Sequence, residues 1–342
     1  MKRRRTLTFI LGSLLFIAGC GGANPGGPGG PGGPSDPPPH PFQGRFVARG
    51  TGYIHTMDLT ANGAWEEKIS APTSYSTPAL NLADRELYVA DLNMKDPMFV
   101  TVHDLDTFGQ KRAFTWPQTE DMWRVHQLAV APGGQYVAAT LSASGSPFLE
   151  LIEVDATTSP AGTTIHYTSQ PGLVQSNLLW TDASELVFAT ISEGALGEGE
   201  YAAVIAVELA EFLEDDEVGV FVLRTFDRAT WGLSGVSHLT LSHDGTQLAY
   251  SLNGDIWVLD LVPGAEPRQL TTGPTGNFGP TFSPDGKYVA FVGGRPYGLR
   301  DTLIVPNDGT GPYLVDLGNH DLTGAYVLDE ASLVEELLAW LP

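Results

Sequence analysis

The sequence predicts an all-β fold, a six-bladed β-propeller of four-stranded antiparallel blades. Three observations predict it. A turn-and-strand unit recurs along the chain, a second hairpin follows each copy, and the two ends of the folded part match the pieces of one further unit.

The clearest copy of the unit is Ser283-Pro284-Asp285-Gly286-Lys287-Tyr288-Val289-Ala290-Phe291. Proline presets φ at the first corner of a tight turn, aspartate hydrogen-bonds the local backbone, and glycine takes a positive φ that a Cβ would resist. The strand that follows is apolar on both faces, which suits a strand between neighbouring sheets. His243-Asp244-Gly245-Thr246-Gln247-Leu248-Ala249-Tyr250 repeats it closely. Ala131-Pro132-Gly133-Gly134-Gln135-Tyr136-Val137-Ala138-Ala139 keeps both turn and strand. Asp182-Ala183-Ser184-Glu185-Leu186-Val187-Phe188-Ala189 and Ala83-Asp84-Arg85-Glu86-Leu87-Tyr88-Val89-Ala90 keep the strand alone. A short apolar segment such as Pro280-Thr281-Phe282 or Leu178-Leu179-Trp180 precedes each copy, so the unit reads strand, hairpin, strand.

The second hairpin is plainest after Tyr250. Asn253-Gly254 is a two-residue turn, 255–261 is a third strand, and 267–270 is a fourth. Corresponding third strands read 98–105, 148–154 and 201–209. Four antiparallel strands per repeat make a propeller blade. The fourth unit carries an acidic insertion, 211–217, between its last two strands, and this reads as a solvated loop.

Residues 45–59 align with 247–261, so the folded part begins at the second strand of a blade. Its first strand is then owed by the C-terminus, where 337–342 matches the pattern of 279–284 and 325–328 competes with it. Stitching one blade from both ends removes the open sheet edges that invite aggregation. The propeller occupies 43–342, and its 300 residues give 50 to each of six blades, beside the ~40 to 50 of propeller repeats.

Residues 1–19 read as a signal peptide. Lys2-Arg3-Arg4-Arg5 is a positive start, 7–17 is a short apolar core, and Ile17-Ala18-Gly19-Cys20 places small residues before a cysteine, as in lipoproteins. The apolar run falls short of the ~20 residues of a membrane span. Cys20 is the only cysteine, so the chain has no internal disulfide, and its expected role is the lipidation site, with palmitate among the acyl chains. Residues 20–42 form a lipid-anchored Gly/Pro-rich linker, mobile at glycine and extended at proline, with a reach of up to ~70 Å. It lacks the strict glycine at every third position that a collagen helix needs.

The formal charge of −22 becomes −26 once Lys2, Arg3, Arg4 and Arg5 are removed. Phosphate binding needs a basic surface, so nucleic acid is excluded as a partner. Charged residues make up only 17% of the chain, which fits an acidic globular surface rather than a disordered acidic tail.

The chain has no Gly-x-Ser-x-Gly elbow. Gly232-Leu233-Ser234-Gly235-Val236 misses it at the last position, and neither a His-Glu-x-x-His helix nor a phosphate-cradling loop is present. Asp58-Leu59-Thr60-Ala61-Asn62-Gly63 starts like a calcium loop but has Thr60 and Ile69 where ligands belong. No catalytic residue, metal or cofactor is assigned. The candidate ligand site is the mouth of the central channel, where residues entering the innermost strands gather: His126, Gln127, Asn177, His238, Asn277, His320 and Asp321. Trp116 and Trp123, in the connection 115–124, are expected to be exposed contact residues of an interface loop.

The Ser-Pro-Asp-Gly turn before an apolar strand resembles the repeat of the TolB-like β-propellers. Six blades are common in that group, and most members are periplasmic or surface interaction platforms or non-catalytic covers on peptidases. TolB has an α/β domain before its propeller where this chain has a linker, which argues against a role in the Tol system. Peptidase relatives carry a hydrolase domain after the ring, where this chain ends. Resemblance to bacterial lipoproteins adds that Gly21 stands where inner-membrane retention uses aspartate, which favours the outer membrane. The expected protein is thus a monomeric, lipid-anchored, extracytoplasmic platform that binds an envelope protein or polymer. A hydrolase or lyase at the channel mouth and a structural envelope component are the alternatives.

Overall fold

The computed structural model describes the chain from Phe42 to Pro342 apart from residues 51–52, 60–64, 71–77, 92–98, 117–123, 144–145, 156–161, 169–176, 182–183, 194–199, 210–220, 228–235, 263, 295–299, 320 and 333. The signal peptide, Cys20, the rest of the linker to Pro41 and the acidic insertion lie outside the described residues, as do Trp123 and His320.

Strands follow one another in antiparallel groups. The first holds β1 (Arg45–Gly50), β2 (Tyr53–Asp58) and β3 (Trp65–Ser70). The second is β4 (Ala79–Asn81), β5 (Glu86–Asp91), β6 (Phe99–Asp104) and β7 (Gln110–Thr115). The third is β8 (Arg124–Val130), β9 (Tyr136–Ala143), β10 (Ser146–Asp155) and β11 (Gly162–Thr168), and the fourth is β12 (Leu179–Trp180), β13 (Glu185–Glu193), β14 (Glu200–Glu208) and β15 (Phe221–Asp227). The fifth is β16 (Val236–Leu241), β17 (Gln247–Leu252), β18 (Asp255–Asp260) and β19 (Arg268–Gln269). After β20 (Thr271–Thr272) the sixth begins with β21 (Gly276–Phe282), β22 (Tyr288–Gly294) and β23 (Arg300–Pro306). β24 (Tyr313–Asp316) and β25 (Asp321–Thr323) intervene before its last strand, β26 (Tyr326–Ser332). Finally β27 (Val334–Leu341) pairs with β1, matching Arg45 to Leu341 and Phe46 to Trp340. Of the two segments that compete in the sequence for this place, β27 therefore takes it and 326–332 completes sheet six.

The turns explain why the repeat is detectable. In sheet six the Ser283 Oγ donates to Asp285 Oδ1 at 2.8 Å and accepts the Tyr288 N–H at 3.0 Å, while Gly286 takes φ 70° and its N–H bonds the Ser283 carbonyl at 2.9 Å. Ser242, Asp244 and Gly245 reproduce this in sheet five, with φ 70° at the glycine. In sheets four and two a non-glycine residue directly before the second strand takes positive φ, Ser184 at 63° and Arg85 at 51°. A second bond recurs: the N–H of Leu59, Leu105, Val154, Leu209, Leu261 or Asn307 donates to the carbonyl just before the second strand of its own sheet. In sheet one that carbonyl belongs to Gly44, so residues 44–59 share the frame of 246–261, down to the pairings Arg45 with Asp58 and Gln247 with Asp260.

Apolar residues on both faces of each second strand serve two different interfaces. Val289 and Phe291 pack into a buried cluster with Ala249 and Ile256 of sheet five, while Ala290 and Val292 pack with Phe46 and Trp340 of sheet one. Leu87 and Val89 face Val47 and Ile54 of sheet one, whereas Tyr88 and Ala90 face Leu128 and Val137 of sheet three. Burying a phenylalanine such as Phe291 completely stabilises by about 1.5–3 kcal/mol.

Two features depart from the sequence expectation. Phe42, assigned to the linker, is buried, and its ring meets Tyr288, Tyr326 and Trp340 edge-on at 5.0, 5.3 and 5.8 Å. Apolar area won over the composition of the preceding Pro/Gly run. A three-stranded sheet is also present, in which β20 pairs parallel with β24 and β24 pairs antiparallel with β25. It carries no trace of the repeat.

Candidate functional site

A cavity of about 440 Å³ is lined by residues from the innermost strands of all six four-stranded sheets and from the segments that lead into or out of them. At one level six residues contribute: Pro78, Leu128, Leu178, Leu239, Pro280 and Leu338. One residue earlier in each strand stand Gln127, Asn177, His238, Gly279 and Leu337, all of which also line the cavity. The structure thus brings three of the sequence candidates, Gln127, Asn177 and His238, to one level, with Gln127 rather than His126 matching His238.

Two of the three are occupied in joining sheets. Gln127 Oε1 accepts the N–H of Leu178 in the next sheet at 3.2 Å. Asn177 repeats the step one sheet on, where its Oδ1 accepts the Leu239 N–H and its Nδ2 donates to the Leu239 carbonyl at 2.5 Å. The amides thereby satisfy backbone groups on the inner edge that would otherwise be unpaired. His238 would come next in this series. The residue it would serve is Pro280, which has no N–H to give.

His238 is held differently. It sits in a bulge where the pairing with β17 shifts between Ser237 and Thr240, and its φ is 53°. Nδ1 lies 3.0 Å from Ser237 Oγ, and the ring tilts against Phe278 at 5.8 Å. Its counterpart in sheet six is Gly279, at φ 60° in a matching bulge between Phe278 and Thr281. A left-handed backbone suits glycine and is costly for a residue with a Cβ.

The fold of which these strands are part is now comparable with known structures. No family model matches the chain, and no curated protein matches it in sequence. Among solved structures it is similar to TolB from Acinetobacter baumannii, at 16% identity over 87% of this chain and 67% of that one, with a TM-score of 0.56. A putative TolB from Agrobacterium tumefaciens matches at 12% identity over 84% and 90% of the two chains, TM-score 0.52. The periplasmic gluconolactonase of Pseudomonas aeruginosa matches at 15% over 84% and 82%, TM-score 0.50. The chain has a TolB-like β-propeller fold. At these identities the likeness shows the fold alone.

The remaining sequence candidates of this propeller fall elsewhere. His126 is the extra residue of a bulge between Val125 and Gln127; its Nε2 lies 2.9 Å from Ser142 Oγ, and it does not line the cavity. Asn277 is buried between sheets five and six, where its Nδ2 donates to Thr271 Oγ1 at 3.3 Å and its N–H to the Gly254 carbonyl. Asp321 belongs to β25 and pairs with Asp316. Trp116 corrects the expectation of an exposed contact. It is fully buried, its indole N–H donates to the buried Glu150 at 2.6 Å, and burial raises the Glu150 pKa against that bond. A tryptophan leaving the last strand of one sheet finds more apolar area between sheets than at the surface.

The sequence reading missed Glu336, which lines the cavity while 6% exposed and pairs with Arg49 at 3.4 Å. Two adjacent glutamates, Glu335 and Glu336, in an otherwise apolar closing strand were the available signal. Asn81 and His243 also line the cavity. Asn81 is spent on its own turn, donating to Asp84 Oδ2 at 2.8 Å, and His243 Nε2 lies 2.9 Å from the Trp340 carbonyl.

Proposed function

We propose that the chain is a lipid-anchored, extracytoplasmic six-bladed propeller, closed by pairing of its last strand with its first, that binds an envelope protein or polymer through its loop face without catalysis. The pairing of β27 with β1 supports closure, as do buried clusters joining each sheet to the next and sheet six to sheet one. The anchor at Cys20 rests on the lipoprotein pattern of residues 2–20 and favours the outer membrane.

The observation that carries the binding role is a pair of exposed aromatic rings. Tyr53 and Phe99 open the third strands of neighbouring sheets at the same register, four residues ahead of Met57 and His103, and are 37% and 45% exposed. Aromatic rings at the rim of a rigid scaffold supply contact area at little entropic cost, and they take the contact role expected of Trp116. The test is in-cell crosslinking. Wild type should yield discrete adducts that Tyr53→Ser/Phe99→Ser loses, while Cys20→Ser should move the protein out of the membrane fraction. Adducts unchanged by the double substitution overturn the reading. Hydrolase or lyase activity at the cavity is the second reading, favoured by the strained His238 that lines it. Turnover of an ester or lactone lost in His238→Gly would establish it.

A further inference from the structure

We propose that the cavity binds a small hydroxylated molecule with an apolar body, held by His238 and Glu336. This goes beyond the loop-face role and does not depend on it. The volume, about 440 Å³, lies within the ~300–1,000 Å³ of small-molecule pockets. Leu128, Leu178, Leu239 and Leu338 give it an apolar wall.

Polar groups then discriminate among ligands. At the level of His238 the neighbouring amide oxygens already accept the Leu178 and Leu239 N–H groups, and Asn177 Nδ2 bonds the Leu239 carbonyl as well. The His238 ring alone is released from that duty by Pro280. With Nδ1 against Ser237, Nε2 has no partner among the described residues. On the far side of Gly279 lies Glu336, and a Cβ built on the glycine would stand 3.4 Å from the Glu336 Cγ. Glycine thus leaves the space beside Glu336 free of a side chain, on the sheet that stands between those of His238 and Glu336, and all three residues line the one cavity.

A hydroxyl group suits a cavity lined by both side chains. It donates to the carboxylate, which only accepts, and pairs with Nε2 in either imidazole tautomer because it both donates and accepts. A carboxylate ligand would be repelled by Glu336. An ammonium would be repelled by Arg49, whose guanidinium lies 3.4 Å from Glu336 and 3.9 Å from Glu335. The left-handed backbone at His238 agrees with a functional demand, since sheet six makes the same bulge with glycine and no strain.

Three probes that share one ring test this on the full chain: cyclohexanol, cyclohexanecarboxylate and cyclohexylammonium. In ligand-observed NMR, cyclohexanol should bind at least about fivefold tighter than either ion. His238→Gly should weaken it about tenfold or more, with near-UV circular dichroism unchanged. Glu336→Gln should weaken it less. In the wild-type protein, which needs no variant to fold, the His238 ring-proton resonance should shift on titration with cyclohexanol. A silent His238 resonance, affinity unchanged in His238→Gly, or an ion that binds as well as the alcohol overturns the proposal.

Discussion

Sheets five and six are the same machine built twice, and they differ at the residue that faces the cavity. Both make the Ser-x-Asp-Gly turn with the glycine at φ 70°, and both kink their innermost strand two residues before Thr240 or Thr281. Sheet six kinks at Gly279-Pro280, which a left-handed backbone favours. Sheet five kinks at His238-Leu239, which it does not. The repeat therefore constrains turn and spacing tightly while leaving the inner position free, and sheet five uses that freedom at a cost to stability.

The largest difference between the two sheets should come from the residue that closes each inner strand. Phe282 is 1% exposed and packs with Ala249, Val289 and Phe291, whereas its counterpart Leu241 is only partly buried. Phe282→Ala should cost about 3–5 kcal/mol and Leu241→Ala about half of that or less. Urea denaturation followed by tryptophan fluorescence measures both. Equal losses would mean that packing along the two strands is not graded as the exposures imply.

Where the sheets agree, so should their variants. Ser283→Ala and Ser242→Ala each remove one oxygen that donates to an aspartate and accepts a backbone N–H, at 3.0 Å from Tyr288 and 2.9 Å from Gln247. Each should cost about 1–2 kcal/mol. A loss confined to one sheet in the same urea titration would show that the turns are alike in geometry but not in worth.

This pairing of likeness and difference also marks what was readable beforehand. Turn chemistry is local, so Ser283-Pro284-Asp285-Gly286 and its copies announce the hairpins, and Leu337 to Pro342 could be matched to Gly279 to Pro284 before β27 was seen beside β1. The register of His126 was not readable, because a bulge of one residue turns a side chain away from the cavity and nothing in the local sequence marks it. Trp116 misled because a loop-like flank hid a buried partner, Glu150, 34 residues away. The hairpin of β24 and β25 was missed for a related reason. Its parallel partner Thr271–Thr272 is two residues long and outside the repeat.

Exchanging the inner residues sharpens the comparison further. His238→Gly copies sheet six into sheet five and should raise stability by about 1 kcal/mol, the relief of a non-glycine residue from a left-handed backbone. Gly279→Ala, at φ 60° and with Glu336 Cγ 3.4 Å from the new methyl, should lower it by about the same amount. Differential scanning calorimetry reads both shifts. A His238→Gly variant no more stable than wild type would show that the His238 contacts with Ser237 and Phe278 already offset the strain.

The smallest effect separates the sheets by pH. Asp255 opens the third strand of sheet five and bonds Gln269 Nε2 at 3.0 Å and Thr271 Oγ1 at 3.4 Å, neither of which carries charge. Burial pushes its pKa up to about 6 against those bonds. The folded protein therefore holds a proton that the unfolded chain releases near pH 4. Its contribution to stability is full below the unfolded value and is lost as pH rises through about 6. Because the carboxyl is only partly buried, solvent screening should keep the loss under about 1 kcal/mol. Asp285 in the sheet-six turn behaves oppositely. The bond from Lys287 holds it down near pKa 2, so its stabilisation fades only as pH falls from about 4 towards 2, outside the window of Asp255. Melting temperatures at pH 5 and pH 7.5 should thus fall with pH more in wild type than in Asp255→Asn, and parallel profiles would show that the Asp255 carboxyl titrates as an exposed one.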